Sequence, residues 1–163
     1  MNLWDNLPGH ARVWVYGANR RLSDQELTLV KNQLEDFCAD WAAHGAKLAC
    51  GFNILYDQLV ILAVDEQQAA ASGCSIDSSV RVIREIDANL NIDLFNRLRA
   101  FVVRENGLET YSPSEFKTAL EANQINADTA VIDPLVLNLD QMNQEFIKPV
   151  SDTWLKKYSV MTN

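Results

Sequence analysis

The chain has 163 residues, of which 48% are hydrophobic and 22% charged. This is enough apolar material for one globular domain, and no repeat or linker divides residues 1–163. Twenty-two acidic and 14 basic side chains give a formal net charge of -8. The average field therefore repels nucleic-acid phosphates and anionic lipid head groups, so neither a nucleic acid nor a membrane is an expected partner.

The cysteines and the apolar runs indicate a soluble protein of a reducing compartment. Cys38, Cys50 and Cys74 are an odd number at wide spacing, which favours neither a disulfide framework nor a zinc site. Residues Met1 to Leu7 lack the basic residue and the apolar run of a signal peptide. The longest apolar run, Leu59 to Val64, is too short to span a membrane. We therefore expect a cytoplasmic location.

The first predicted elements are a strand and an amphipathic helix. Arg12 to Tyr16 mixes β-branched and aromatic residues, as strands do. Ser23 and Glu26 form a capping box, and apolar residues then recur at steps of three and four: Leu27, Val30, Leu34, Phe37 and Trp41. His44 and Gly45 follow where such a helix ends, which favours a C-terminal cap over a catalytic role for the imidazole.

Two hairpins and a second helix are predicted next. Residues 48–55 and 59–64 flank a polar tripeptide and form the first hairpin. A second amphipathic helix begins within residues 72–77 and carries Ile76, Val80, Ile83 and Leu90 on one face. Residues 98–103 and 108–111 flank Glu-Asn-Gly and form the second hairpin.

The C-terminal third reads as an extension of this core. Ser-Pro-Ser-Glu at residues 112–115 combines a cap, a proline at the first helical position and the capping partner, so a short helix to about Glu121 is expected. Residues 129–132 are predicted to form a strand and residues 152–158 a terminal helix.

The order strand, helix, strand, strand, helix, strand predicts an α+β fold with a ferredoxin-like βαββαβ core. Both helices should cover one face of an antiparallel-rich sheet, with a C-terminal hairpin and helix as an extension. We expect the strands at residues 12–16 and 59–64 to be adjacent and parallel. This fold hosts unrelated functions, so it identifies none.

Several well-known sites are excluded by their absence from the sequence. No glycine precedes a lysine, so there is no phosphate-binding P-loop, and no Gly-x-Gly marks a dinucleotide site. His10 and His44 are the only histidines and stand far apart in sequence, which disfavours a histidine metal site, whereas a site of carboxylates alone stays open. We therefore predict no cofactor and no ATPase activity.

One motif carries a resemblance to known proteins. Residues 71–81 read Ala-Ser-Gly-Cys-Ser-Ile-Asp-Ser-Ser-Val-Arg and resemble the central motif of a small bacterial family without an assigned activity, sometimes labelled "ABC transporter ATPase". Further similar residues, spread over nearly the whole chain, are Trp14, Tyr16, Trp41, His44, Gly45, residues 92–95, Arg97, Pro149 and Trp154. Leu155 stands where members often have a histidine. The resemblance implies no catalytic residue, and the missing P-loop contradicts the label.

The motif falls at the start of the second helix, where unpaired N–H groups point outward. A structural interpretation explains most of it. Ser72 or Ser75 caps the helix, Gly73 permits a tight turn, and Asp77 complements the dipole and pairs with Arg81 one turn later.

Two functional interpretations compete with this one. The amides of residues 73–75 favour an anion-binding turn. Alternatively Cys74, instead of being a small buried filler, is a reactive thiol, with Asp65, Glu66 or His44 as partners if the fold brings them near.

The basic residues of the middle of the chain are interpreted as solvated surface. Five arginines fall between Arg81 and Arg104, and Glu85, Asp87 and Asp93 are interleaved with them. The alternating signs weaken the local field, so we do not expect a basic binding patch there.

The function we expect is a noncatalytic module of the bacterial cytoplasm that binds a small ligand or a protein partner. No nucleophile, base and orienting group can be assembled from the sequence. The alternative is a thiol-dependent enzyme or redox sensor centred on Cys74. A binding module tolerates Cys74→Ser, whereas a thiol enzyme does not.

We predict that the protein does not bind Mg-ATP, since no Gly-Lys-Ser/Thr turn is present to hold the phosphates. Isothermal titration calorimetry with Mg-ATP should show no saturable heat. Binding in the micromolar range would contradict this prediction.

Overall fold

A computed structural model describes residues 3–67 and 70–160 of the chain. The first part contains β1 (Arg12–Gly17), α1 (Asp24–Asp40), β2 (Ala42–Ala43), β3 (Ala46–Lys47), β4 (Ala49–Leu55), β5 (Leu59–Asp65) and α2 (Gly73–Leu90). The second part contains β6 (Ala100–Arg104), β7 (Gly107–Tyr111), α3 (Pro113–Glu121), β8 (Ala130–Ile132), α4 (Leu139–Glu145), β9 (Ile147–Pro149) and α5 (Lys156–Val160). The predicted mixture of helices and antiparallel sheets is confirmed. Met1 and Asn2, at the start of the segment discussed above as lacking signal-peptide features, lie outside the described residues.

The first sheet has the strand order β1-β5-β4, with both pairs antiparallel. Trp14 of β1 and Phe52 of β4 both lie opposite Leu62 of β5. The predicted adjacency of β1 and β5 is confirmed, but the predicted parallel direction is wrong. The crossover through α1 makes β4 parallel to β1 one strand away, and the tight β4–β5 hairpin then fills the gap with a strand of opposite direction.

Strand β5 is buried on both faces. Val60, Leu62 and Val64 pack with α1 and α2 in one apolar cluster. Leu59, Ile61 and Ala63 pack on the other face against β6, β8 and α4. The prediction that both amphipathic helices cover one face of the sheet is therefore confirmed.

The second sheet has the order β7-β6-β8-β9 and is also antiparallel. Phe101 and Ile132 face the first sheet, whereas Val102 and Val131 pack in a third cluster with α3 and the C-terminal segment. The layers thus run helices, sheet, sheet, helices. A ferredoxin-like sheet needs β6 beside β1, so that topology is not confirmed.

In a ferredoxin-like fold, β6 would pair with the outer edge of β1, the edge away from β5. Part of that edge is occupied here by the segment before α4. The Val13 N–H donates to the Leu137 carbonyl at 3.1 Å, and the Leu139 N–H donates to the Ala11 carbonyl at 3.0 Å. Only the first half of β1 is paired in this way.

The end of α1 differs from the prediction. The helix stops at Asp40, and Trp41 takes an extended backbone as its C-cap. His44 and Gly45, with φ of 51° and 78°, form the turn of the β2–β3 hairpin, so the predicted helix cap at His44 is wrong. The indole N–H of Trp41 donates to the buried Ser75 carbonyl at 2.8 Å, and this bond draws the chain out of the helix toward α2.

The predicted starts of α1, α2 and α3 are confirmed. Both capping boxes, Ser23 with Glu26 and Ser112 with Glu115, have their two reciprocal hydrogen bonds. The terminal helix begins later than predicted, at Lys156, because Val150–Asp152 forms a separate 3-10 turn. No helix in residues 3–67 and 70–160 has the length and apolar character needed to cross a bilayer.

We predict that Leu62→Ala lowers the free energy of unfolding by about 2–5 kcal/mol, because it leaves a cavity at a fully buried position of the central strand. Leu29→Ala on the exposed side of α1 should change it by less than about 0.5 kcal/mol. Urea denaturation followed by Trp fluorescence measures both. Equal effects of the two substitutions would contradict the central position of β5.

Candidate functional site

The serines of the 71–81 motif make a helix cap. The Ser72 hydroxyl accepts from the Ser75 N–H at 3.1 Å, and the Ser75 hydroxyl donates to the Ser72 carbonyl at 2.8 Å. Gly73 meets no neighbouring atom where a Cβ would stand. The two hydrogen bonds support the structural interpretation of Ser72 and Ser75. Because the Ser75 N–H is used in the cap, one of the three amides of the predicted anion-binding turn is not free.

The other polar residues of the motif point to solvent. Asp77 and Arg81 are both exposed. Within residues 3–67 and 70–160 the structure shows no ion pair between them, so the predicted pairing is not formed. Arg81 lines a shallow groove between α1 and α2, away from Ser72.

The three thiols differ in burial, and the interpretation of Cys74 as a small buried filler is wrong. Cys74 is exposed, whereas Cys38 and Cys50 are buried. The Cys50 thiol donates to the Cys38 carbonyl at 3.4 Å. A hydrogen bond with the Cys50 side chain, together with burial, raises the pKa of the Cys38 thiol above its ordinary value.

The partners that the sequence suggested for Cys74 are engaged elsewhere. Asp65 accepts a hydrogen bond from the His10 imidazole at 3.1 Å, and Glu66 pairs with Arg12 at 3.7 Å. His44 lies exposed in the β2–β3 turn. Nothing in the described structure joins Cys74 to a base and an orienting group.

A different site lies along the outer edge of β1. Two neighbouring hollows, which we call the β1 cleft, share the lining residues Val15, Arg97, Pro134 and Leu135. The inner hollow has a volume of about 110 Å³ and is also lined by Gly17, Leu94, Asn96, Arg99, Phe101 and Trp154. The outer hollow has a volume of about 470 Å³ and is also lined by His10, Arg12, Val13, Trp14, Glu66, Val136, Leu137 and Asn138.

The cleft exists because the segment at residues 134–137 meets β1 only at its last residue, where the Leu137 carbonyl accepts from the Val13 N–H. Its own N–H groups are satisfied by side chains: the Leu137 N–H donates to Gln141 Oε1 at 2.7 Å, and the Leu135 N–H donates to Asp133 Oδ1 at 3.0 Å. In an antiparallel strand, alternate residues point their N–H and C=O to the same edge. Since Val13 bonds to this segment, Val15 and Gly17 also present their backbone groups to the cleft.

Arg97 and Arg99 supply positive charge to the inner hollow. Arg97 is exposed and, in the part of the chain that the structure describes, makes no hydrogen bond or ion pair. The Arg99 side chain is only 15% exposed, and its Nη2 donates to Asp93 Oδ2 at 2.6 Å. Its Nε is buried without a hydrogen-bond partner, which costs about 1–3 kcal/mol unless an acceptor is supplied.

The rest of the inner hollow is largely apolar. Val15, Leu94, Phe101 and Trp154 contribute to its wall. A Cβ at position 17 would lie 2.2 Å from the Phe101 ring, so glycine lets this ring of β6 pack directly on the backbone of β1. No pattern in the sequence indicated this close approach.

The charges of the outer hollow are mostly paired. Arg12 stacks over the Trp14 ring at 4.7 Å and pairs with Glu66. A hydrogen bond from the Gln67 N–H lowers the pKa of Asp65, and His10 adds to this effect. Arg97, which lines both hollows, is therefore the cation of the cleft without a carboxylate partner in the described structure.

Sequence reasoning placed Arg97 and Arg99 among solvated faces. For Arg99 this interpretation is wrong, since the side chain is largely buried at the inner hollow. The one sequence signal was indirect: Trp14, Arg97 and Trp154 belong to the residues that carry the family resemblance, and all three line the cleft.

No protein-family model, no curated protein and no solved structure matches this chain. The family resemblance therefore stays a prediction, and the cleft has to be interpreted from its own geometry. Among residues 3–67 and 70–160, no three His, Cys, Asp or Glu side chains lie together as metal ligands would.

We predict that limiting iodoacetamide near neutral pH alkylates Cys74 before Cys38 and Cys50, because only Cys74 is exposed. Peptide mass spectrometry of the native protein gives the order. In urea all three thiols should react. Modification of Cys38 or Cys50 before Cys74 in the native protein would contradict this order.

Proposed function

We propose that this protein is a noncatalytic binding module whose β1 cleft takes a small organic anion with an apolar body. The observation that carries the proposal is the position of Arg97 and Arg99 on the wall of an apolar hollow. The free, buried thiols of Cys38 and Cys50 support placing the module in a reducing compartment such as the bacterial cytoplasm.

The charge balance of the cleft favours an anion. Asp93 takes one nitrogen of Arg99, whereas Arg97 keeps all its donors. A carboxylate that reaches Arg97 makes charge-assisted hydrogen bonds, each contributing about 1.5–3 kcal/mol. The protein as a whole is acidic, so this positive spot selects anions by local contact and not by long-range attraction.

The shape of the inner hollow favours an apolar body on that anion. Its volume of about 110 Å³ suits a branched aliphatic group, and Val15 and Phe101 offer apolar contact. Burying such a group contributes about 1.5–3 kcal/mol.

The lining residues support binding and not catalysis. Neither hollow is lined by a serine, threonine, cysteine or lysine, so the cleft offers no side-chain nucleophile of these kinds. His10 lines the outer hollow, is paired with Asp65 and faces no such group.

We relate the first sheet to the ferredoxin-like unit. Strands β1 and β4 are parallel, are connected through α1 and have β5 between them, as in a split βαβ unit. In this chain residues 137–139 take part of the edge at which the fourth strand of such a unit would pair. Because this segment covers only part of the edge of β1, the cleft stays open.

The exposure of Cys74 supports a second proposal, a thiol-dependent enzyme or redox sensor. The two proposals differ in one variant. Cys74→Ser leaves binding in the β1 cleft unchanged, whereas it abolishes any thiol chemistry.

We predict that 4-methylpentanoate binds in the cleft and that Arg97→Gln weakens its binding by about tenfold or more, the equivalent of one charge-assisted hydrogen bond. Chemical-shift changes in NMR titrations measure the dissociation constants. Arg99→Gln should weaken binding as well. Because this substitution also removes the ion pair with Asp93, the midpoint of thermal unfolding of the variant is measured to check that it is folded.

Arg81→Gln is the matched control, since it removes an exposed arginine outside the cleft. The neutral 4-methylpentanamide is the matched ligand control and should bind much more weakly. Equal affinity for the amide, or equal loss in Arg81→Gln and Arg97→Gln, would refute an anion site in the cleft.

A further inference from the structure

We infer that the anion is the carboxyl terminus of an extended peptide, which pairs with the outer edge of β1 and places its last side chain in the inner hollow. The inference rests on the proposed function and names the class of its ligand. Its starting point is the backbone of β1, which a simple carboxylate would leave unused.

The outer edge of β1 is open over its second half. Val13 is the last residue of the strand that donates to the neighbouring segment. Beyond it, the N–H and C=O of Val15 and the N–H of Gly17 face the cleft by the alternation of the strand. Such an edge is a template for an added strand.

The opposite wall does not close over this edge. The Leu135 and Leu137 N–H groups are held by Asp133 and Gln141, so this segment has no free donors at these two residues to pair with Val15. The side chains of Leu135 and Leu137 are 59% and 69% exposed. They offer apolar contact to the side chains of a guest peptide.

The arginines fix the direction of the peptide. Arg99 lines only the inner hollow, next to Gly17, and Arg97 lines both hollows. A terminal carboxylate at this end accepts from Arg97. The peptide then runs parallel to β1, and the preceding residues lie in the outer hollow beside Trp14.

The hydrogen-bond pattern of a parallel pair fits this placement. A residue opposite Tyr16 accepts from the N–H of Gly17 and donates to the C=O of Val15. The penultimate residue of the peptide takes this place. The last residue then lies opposite Gly17, and its side chain points to the same face as that of Val15, into the inner hollow. At about 3.3 Å per residue, the open part of the edge accommodates about three residues.

The length of the site explains why a carboxyl terminus fits better than an internal carboxylate. Gly17 lies where β1 ends, and its backbone is so close to the Phe101 ring that a side chain at this position would not fit. The next outward N–H, that of Asn19, donates to the Ile92 carbonyl at 2.8 Å, so a peptide that continued past Gly17 would meet the segment at Ile92. A terminus stops there, with its charge beside Arg97.

The test uses a fluorescein-labelled peptide pool with three randomised positions before a C-terminal leucine, followed by fluorescence anisotropy. We expect the pool with a free carboxylate to bind more tightly than 4-methylpentanoate and to compete with it. Amidation of the terminus should weaken binding by about tenfold or more through the loss of a charge-assisted bond. N-methylation of the residue before the leucine should weaken it by about two- to tenfold, because the hydrogen bond to the Val15 carbonyl is removed.

The protein variants repeat the contrast used for the simple carboxylate. Arg97→Gln should lower the affinity of the free-carboxylate pool but not that of the amidated pool, and Arg81→Gln should lower neither. The methylated peptides test the strand pairing without any change to the protein.

The outcomes separate the two proposals. If 4-methylpentanoate binds in an Arg97-dependent way but the peptides bind no more tightly, or if methylation has no effect, the peptide inference is overturned and the small-anion function stands. If neither the carboxylate nor the peptides bind, both proposals fail.

Discussion

The burial of β5 on both faces is the constraint on which the other layers depend. Each of Leu59 to Val64 is completely buried, so a strand of six consecutive apolar residues needs cover above and below. The helices α1 and α2 supply one cover, and the second sheet with α4 supplies the other. A single layer of helices would leave Leu59, Ile61 and Ala63 exposed to water, which explains why the C-terminal third of the chain folds back onto the first sheet.

The cleft follows from this stacking of sheets. Because β6 is drawn into the second layer, the outer edge of β1 is left to the short segment at residues 137–139. That segment pairs only as far as Val13, and Arg99 becomes buried where the chain passes between the layers. The unpaired backbone edge of β1, the buried guanidinium of Arg99 and the apolar hollow thus lie together where the two sheets meet. Ligand sites commonly form at such junctions.

The most conspicuous motif of the sequence and the most developed site of the structure are different places. Ser72 and Ser75 cap α2, and the bond from the Trp41 indole to the Ser75 carbonyl ties this cap to the end of α1. The hydrogen bonds of these two serines are therefore explained by capping of the α2 N-terminus. The Cys74 thiol is exposed and makes no hydrogen bond in the described structure, which makes it the residue to modify when the two proposed functions are separated.

The sequence by itself determined the features that depend on neighbours along the chain. Capping boxes and hairpin turns act over three to five residues, so Ser23 and Ser112 marked their helices correctly. Only the tertiary structure decided the direction of β5 against β1, the departure of β6, the turn at His44 and the burial of Arg99. These depend on contacts between residues distant in sequence. A run of apolar side chains is the same for a parallel and an antiparallel neighbour, and an arginine among acidic residues gives no sign of which layer will cover it.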